Sequence, residues 1–153
     1  MRFYSWLLLP LLFFTSAAVS DQNKNPDSNF ISLQAIDIPF EAFPGVEGLS
    51  HAVLSGDPER AGTYVIRLRI SPGLTFPPHY HDQDRHVTVI SGIWAFGTGY
   101  SGKCEDTVPL AAGAYVMHPK GAVHFDGACG KEPVEVQIEG LGPVSTTWIE
   151  DTK

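Results

Sequence analysis

Along most of the chain, apolar and polar positions alternate with a period of two, in short runs cut by glycine and proline. Tyr64, Ile66, Leu68 and Ile70 alternate with Thr63, Val65, Arg67 and Arg69, and Val134, Val136 and Ile138 alternate with Glu135, Gln137 and Glu139. Successive side chains of a strand point to opposite faces, so both runs predict strands with one buried and one wet face. Further strands are predicted at 75–80, 86–91, 93–98, 114–118 and 124–126, with shorter ones at 51–54 and 146–150. Between them fall Ser71-Pro72-Gly73, Ser91-Gly92, Ala112-Gly113, Pro119-Lys120-Gly121 and Gly140-Leu141-Gly142-Pro143, all turn chemistry. No segment keeps a helical period over three turns, and no internal repeat is present. Many short strands at near-regular spacing predict an all-β sandwich or barrel. Residues 29–49 carry the least pattern; there Phe40, Phe43 and Val46 are expected to pack over the outside of a sheet.

The N-terminus follows a different rule. Met1-Arg2 gives a small positive start, residues 6–14 form a short apolar run broken by Pro10, and Ser16, Ala17, Ala18 and Ser20 come next. This is the pattern of a secretory signal peptide, here residues 1–20, cut near Ala18 or Ser20. About nine apolar residues are too few to cross roughly 30 Å of hydrocarbon. Residues 21–49 are then a polar leader and a segment covering the barrel, and 50–153 the barrel domain. At 153 residues and 43% hydrophobic content, the chain fits one domain. Its formal charge is −7, with Lys and Arg scattered, which argues against nucleic acid and against an anionic membrane surface as partners. Export places the two cysteines, Cys104 and Cys129, in an oxidising compartment, periplasmic or extracellular, where a disulfide is the favoured reading over a pair of metal or redox thiolates. Closing a loop of that length stabilises by roughly 3 kcal/mol in the chain-entropy view.

Chemistry concentrates in two stretches. In the first, His79-Tyr80-His81, residues i and i+2 of an extended segment put both imidazoles on one face. The second, Pro119-Lys120-Gly121-Ala122-Val123-His124, delivers another histidine from a turn. Three neutral ring nitrogens converging on one point make a metal site, suited to zinc, copper, iron or nickel. Written out, the first stretch reads Gly73, five residues, His79-x-His81, three residues, Arg85, six residues, Gly92; the second reads Gly113, five residues, Pro119, one residue, Gly121, two residues, His124. These spacings resemble the two signature motifs of the cupin superfamily, G-x5-H-x-H-x(3,4)-E-x6-G and G-x5-P-x-G-x2-H-x3-N. The resemblance runs from about Gly62 to Gly142. It implies a jelly-roll barrel with His79, His81 and His124 as ligands of one divalent transition metal (Fe, Zn, Mn, Ni or Cu), and a homodimer as the assembly.

The chain departs from that pattern at the fourth ligand. Counting back from Gly92 puts Arg85 where the family has Glu; counting on from His81 puts His86 there. Strand parity favours Arg85, because Val87 and Val89 are the apolar, inward positions, although a bulge would reverse this. A guanidinium about 6 Å from a dication, at an effective dielectric near 20, is repelled by roughly 5 kcal/mol. An anion bridging the two turns the repulsion into attraction, so Arg85 is read as a substrate-binding residue for a carboxylate. The alternatives are that Arg85 turns away to Asp82 or Asp84, or that metal is weakly held. The family's terminal Asn is replaced by Ala128, with Asp126 nearby.

Other residues are assigned ordinary roles. His118 is expected at the rim or in a structural role, His51 on the surface and Tyr80 on the barrel exterior. Phe76, Trp94, Phe96, Tyr115 and Phe125 are expected in the core or lining a cavity. The leading functional expectation is a small metal-dependent enzyme of dioxygenase, isomerase or lyase type acting on a small anionic organic molecule, with no side chain marked as general base. Its rival is an exported, non-catalytic module that binds a metal or small ligand.

Overall fold

The computed structural model describes residues 30–149; the proposed signal peptide and most of the leader lie outside the described residues. The chain divides into Met1–Ser32 and Leu33–Lys153, and every strand among the described residues belongs to the second unit. The strands are β1 (Glu41–Ala42), β2 (Leu49–Ser55), β3 (Gly62–Ile70), β4 (Thr75–His81), β5 (Arg85–Ser91), β6 (Ile93–Thr98), β7 (Val108–Ala111), β8 (Tyr115–His118), β9 (His124–Gly127), β10 (Val134–Gly142) and β11 (Thr146–Trp148). They form two antiparallel sheets, β1-β2-β3-β10-β5-β8 and β11-β4-β9-β6-β7. This is the all-β, cupin-type jelly-roll barrel expected from the sequence.

The alternating runs set the inside and the outside. Ile70 pairs with Val134, Leu68 with Val136 and Ile66 with Ile138, so the inward positions of β3 and β10 lie side by side. Ile70, Val134 and Val136 are fully buried, and Trp94, Val87 and Val89 pack with them in the core. The outward positions form a polar ladder: Arg67 and Arg69 each meet Glu135 at 2.9 Å, and Arg67 Nε donates to Gln137 at 3.1 Å. The exposed Arg69 pair contributes little by itself; the effect of the ladder is to keep this face polar and the register unambiguous.

Two elements escape the sequence pattern. β1 is only two residues long, and β7 (Val108-Pro109-Leu110-Ala111) contains a proline. β7 is an edge strand paired only with β6 in the sheet order, where a missing N–H is tolerated. Pairing therefore begins at Glu41, within the stretch read as a covering segment. In that stretch Phe40 stacks under the Arg69 guanidinium at 3.6 Å, while Val46 packs against the core. The last strand among the described residues ends at Trp148. Cys104 and Cys129 are joined as a disulfide, Cα atoms 5.9 Å apart, which ties a short 3-10 turn (Cys104–Asp106) to the turn after β9. Between β5 and β6 the chain crosses from one sheet to the other at Gly92, φ +76°, where a Cβ would collide with the Pro133 carbonyl; only glycine fits.

Along the barrel axis the interior changes character. From Ile70 and Val134 the row of inward residues on β3 and β10 ends at Tyr64 and Gly140, and on β5 it runs from Val89 through Val87 to Arg85. One end of the barrel is an apolar core; the other is polar.

Candidate metal centre

His79 and His81 alternate on β4, and His79 is the register partner of His124 on β9. All three are at most 5% exposed, and their ligand atoms lie within 4.8 Å of one another. The Pro119–Gly121 turn that delivers His124 is docked against the first stretch, with Gly121 N–H donating to the His81 carbonyl at 2.8 Å. Two of the rings are fixed by the backbone two residues earlier. His79 Nδ1–H donates to the Pro77 carbonyl at 2.8 Å and His124 Nδ1–H to the Ala122 carbonyl at 2.9 Å. Because a carbonyl only accepts, each bond places the proton on Nδ1 and leaves the Nε2 lone pair for the site, as metal-binding histidines require. His124 Nε2 is buried and has no partner. His81 Nδ1 lies 3.1 Å from Thr146 Oγ1 on β11.

Burial pushes these imidazoles toward the neutral form, which is the ligating form. His79 is lowered to about 4, mainly by desolvation, with the neighbouring His124 and Arg85 adding to the effect. His81 and His124 are lowered as well, by burial first, with the Arg85 charge adding to it. A set of three buried, neutral, convergent imidazoles with two tautomers fixed by the main chain suits a divalent transition ion.

Arg85 points into the barrel and His86 away from it, His86 bonding the Tyr115 hydroxyl at 2.6 Å on the outer surface. One Arg85 guanidinium nitrogen is 2.8 Å from His81 Nε2 and 3.2 Å from its Nδ1, so it rests against the imidazole. Its Nε is buried without a partner. Asp82 and Asp84 do not pair with it: Asp82 accepts from the Ser145 N–H and Asp84 from the Lys120 N–H, both at 2.7 Å. These two carboxylates tie down the loops around the barrel mouth.

Several neighbours of the site depart from the roles that the sequence suggests. Of the two places expected for His118 the structure excludes the rim: the ring is 4% exposed, lies 3.9 Å from the His124 ring and stacks on Phe96 at 5.2 Å, with both ring nitrogens unpartnered. The run Tyr115-Val116-Met117-His118 is apolar at every position before the histidine, so the sequence holds no parity signal there. Asp126 has one: it is two residues after His124 and shares its face. It accepts from Trp94 Nε1 at 3.2 Å, lies 3.9 Å from His79 Nε2, and is raised to about 6 by burial. Trp148 lies over the His79 ring at 4.8 Å. Tyr64, a plain strand residue by sequence, puts its hydroxyl in the polar end, where burial raises its pKa. Tyr115 is exposed rather than core, and His51 is half-buried, edge-on to Phe43. A groove of about 450 Å³ is lined mainly by outward residues, among them Thr63, Val65, His86 and Glu139, and by none of the three clustered histidines. The side-chain chemistry, not the groove, locates the site.

The sequence model of a family described as "ChrR Cupin-like domain" matches residues 28–144. Germin-like protein 5-1 of Oryza sativa subsp. japonica is 35% identical over 75 residues, 47% of this chain and 33% of that protein. Germin-like protein 1-1 of the same plant is 24% identical over 142 residues, 88% of this chain and 58% of that protein. The chain spans less than two thirds of the length of either relative. Among solved structures, the polyketide cyclase RemF from Streptomyces resistomycificus superposes with a TM-score of 0.62 at 18% identity, covering 78% of this chain and 87% of that one. A cupin-superfamily sugar phosphate isomerase from Silicibacter pomeroyi gives 0.60 at 20% identity, covering 78% and 82%. A structure described with the DMSP lyases RdDddP and RnDddQII gives 0.58 at 17% identity, covering 74% and 63%. At these identities the structural likeness concerns the fold.

Proposed function

Since the chain belongs to the ChrR cupin-like domain family of the cupin superfamily, we propose that it is a metal-dependent cupin acting on a small anionic organic molecule. His79, His81 and His124 hold one divalent transition metal, and Arg85 binds the anion. The observation that carries this reading is the convergence of three buried imidazoles with two Nε2 lone pairs directed inward by backbone carbonyls. A metal bound there supplies Lewis acidity, polarising an oxygen of the ligand. The chain's own residues do the rest. Arg85 offers an unpartnered N–H to the ligand's negative charge and offsets its burial. Asp126, held by Trp94, is the buried carboxyl nearest in character to an acid–base group. Trp148 covers the His79 side.

The reaction is of dioxygenase, isomerase or lyase type. Fold-level neighbours described as a cyclase, an isomerase and lyases accord with chemistry at a polarised oxygen, but fold does not fix reaction. The second reading, a non-catalytic module that binds a metal or ligand, is favoured by one feature: a cation, Arg85, stands where the family has an acidic ligand. Export after removal of residues 1–20 accords with the disulfide. A homodimer is the proposed assembly, read by light scattering on the purified chain.

The test is to purify the chain without a histidine tag, measure bound metal by mass spectrometry, and compare Arg85→Glu. Near-stoichiometric metal in the wild type and tighter binding in R85E are expected, with loss of any anion-dependent turnover. A wild type that takes up no divalent metal overturns the metal centre, and an unchanged metal affinity in R85E removes Arg85 from it. A substrate screen on the loaded protein separates enzyme from binder.

A further inference from the structure

Opposite the three imidazoles, the six-stranded sheet carries three buried polar groups with unpartnered atoms: the Tyr64 hydroxyl on β3, Arg85 Nε on β5 and both ring nitrogens of His118 on β8. They are not scattered. Tyr64 is the register partner of Gly140, Gly140 of Arg85, and Arg85 of His118, so the four residues form one straight row across β3, β10, β5 and β8. Residues in register on neighbouring strands share a face, and this face is the barrel interior. Gly140 is the gap in the row: a Cβ there would lie 2.8 Å from the Tyr64 hydroxyl and 3.2 Å from the Asp84 carbonyl. Its missing side chain makes room for the phenol.

Buried donors and acceptors in folded proteins have partners, and four unpartnered atoms in one row point to a ligand. The donor and acceptor inventory of the row states what that ligand must offer. Arg85 only donates. The Tyr64 hydroxyl lies beside the Arg85 guanidinium, which faces its oxygen, and its O–H is left to donate. A neutral imidazole at His118 has one N–H and one lone pair. A plain carboxylate, which only accepts, serves Arg85, Tyr64 and the His118 N–H but leaves the His118 lone pair unmatched. A hydroxyl on the same small molecule supplies the missing donor. The gap is short, because Arg85 already touches His81 across it.

We infer that the Tyr64–Gly140–Arg85–His118 row is a recognition wall for a short-chain hydroxycarboxylic acid, its carboxylate on Arg85 and Tyr64 and its hydroxyl on His118. This wall rests on the proposed metal centre and names the class of its ligand.

The experiment measures glycolate and acetate binding by calorimetry on the zinc-loaded full chain, in the wild type and in Tyr64→Phe, Arg85→Met and His118→Phe. Phenylalanine suits position 118, which already stacks on Phe96. Glycolate is expected to bind about tenfold more tightly than acetate in the wild type, the order of one buried hydrogen bond. The glycolate-to-acetate ratio should fall to about one in H118F, whereas Y64F and R85M should weaken both acids by about tenfold and leave the ratio standing. If H118F does not fold, His118→Leu reads the same ratio. Equal affinities in the zinc-loaded wild type, or a ratio that survives loss of the imidazole, overturns the wall and leaves the metal centre intact. A wild type that takes up no zinc, read in the same samples, overturns both.

Discussion

The two walls of the barrel's polar end are prepared in opposite ways. On the five-stranded sheet, His79 and His124 are held by carbonyls of their own strand segments, and His81 reaches Thr146 on the neighbouring strand. The Nε2 lone pairs of His79 and His124 are left for the site, while His81 Nε2 meets the Arg85 guanidinium at 2.8 Å. On the six-stranded sheet, Tyr64, Arg85 Nε and His118 stand buried without comparable support. An unpartnered buried polar atom costs about 1–3 kcal/mol, so the second wall, with four such atoms, stores a larger deficit than the first, where His124 Nε2 is the one among the three histidines. On the proposed reading the difference is a division of labour: one sheet holds the cation site in a fixed geometry, and the other leaves atoms open for the ligand. The apolar end of the same barrel does neither and supplies the stability that this polar end consumes.

The contrast can be broken most completely by removing the prepared wall. A His79→Ala/His81→Ala double variant should lose all bound metal, by mass spectrometry, while circular dichroism keeps the all-β signature; retained stoichiometric metal would show that the ion sits elsewhere. At the apolar end, Ile70→Ala should destabilise by about 2–5 kcal/mol in denaturant titrations, as for other large-to-small core changes. Metal affinity per folded molecule should not change, and a coupled loss would mean that the two ends are not separate.

Acid sharpens the comparison. In the metal-free protein, His79 titrates at about 4 rather than 6.5, because burial disfavours its charge. The unfolded chain therefore binds the extra proton first, and stability is lost as pH falls from 6.5 to about 4, by about 3 kcal/mol for this group at 1.36 kcal/mol per pKa unit. Asp126 works in the other direction: raised from 3.8 to about 6, its burial penalty accumulates between those values and is complete above pH 6. Asp126→Asn should thus stabilise the metal-free protein at pH 7, by up to about 3 kcal/mol, and steepen the acid loss. Chemical denaturation at pH 4, 5, 6 and 7 reads both, and a variant less stable at pH 7 would contradict the sign. The smallest effect is expected at the support of His81: Thr146→Val should weaken metal binding about tenfold, the lower range for groups that orient a metal ligand. An unchanged affinity would show that the 3.1 Å contact does not orient the ring.

Much of this architecture is legible in the amino-acid pattern. The period-two runs at 63–70 and 134–139 form β3 and β10, and the two glycine-framed motifs mark β4, β5, β8 and β9. β1 and β7 are not legible, one being too short to show a period and the other carrying Pro109 at an edge where proline is harmless. Within the site, His79, His81 and His124 announce themselves by spacing, and Val87 and Val89 give the parity of Arg85. Asp126 could be found by the same parity from His124. His118 could not, since its strand is apolar on both faces; nor could Tyr64, whose alternation looks the same whether the barrel end above it is polar or apolar.

Where apolar and polar side chains alternate, as in β3, β5 and β10, the sequence by itself determined which residues face inward, because strand geometry allows only two faces and the alternation chooses between them. It also determined that three histidines share the inner face. Only the tertiary structure decided what those inward residues meet. Register between strands far apart in the chain aligned Tyr64, Gly140, Arg85 and His118 in one row and set that row against the three imidazoles. Sheet pairing is a relation between segments, fixed by how hydrophobic rows interdigitate across the barrel, and no single segment carries it.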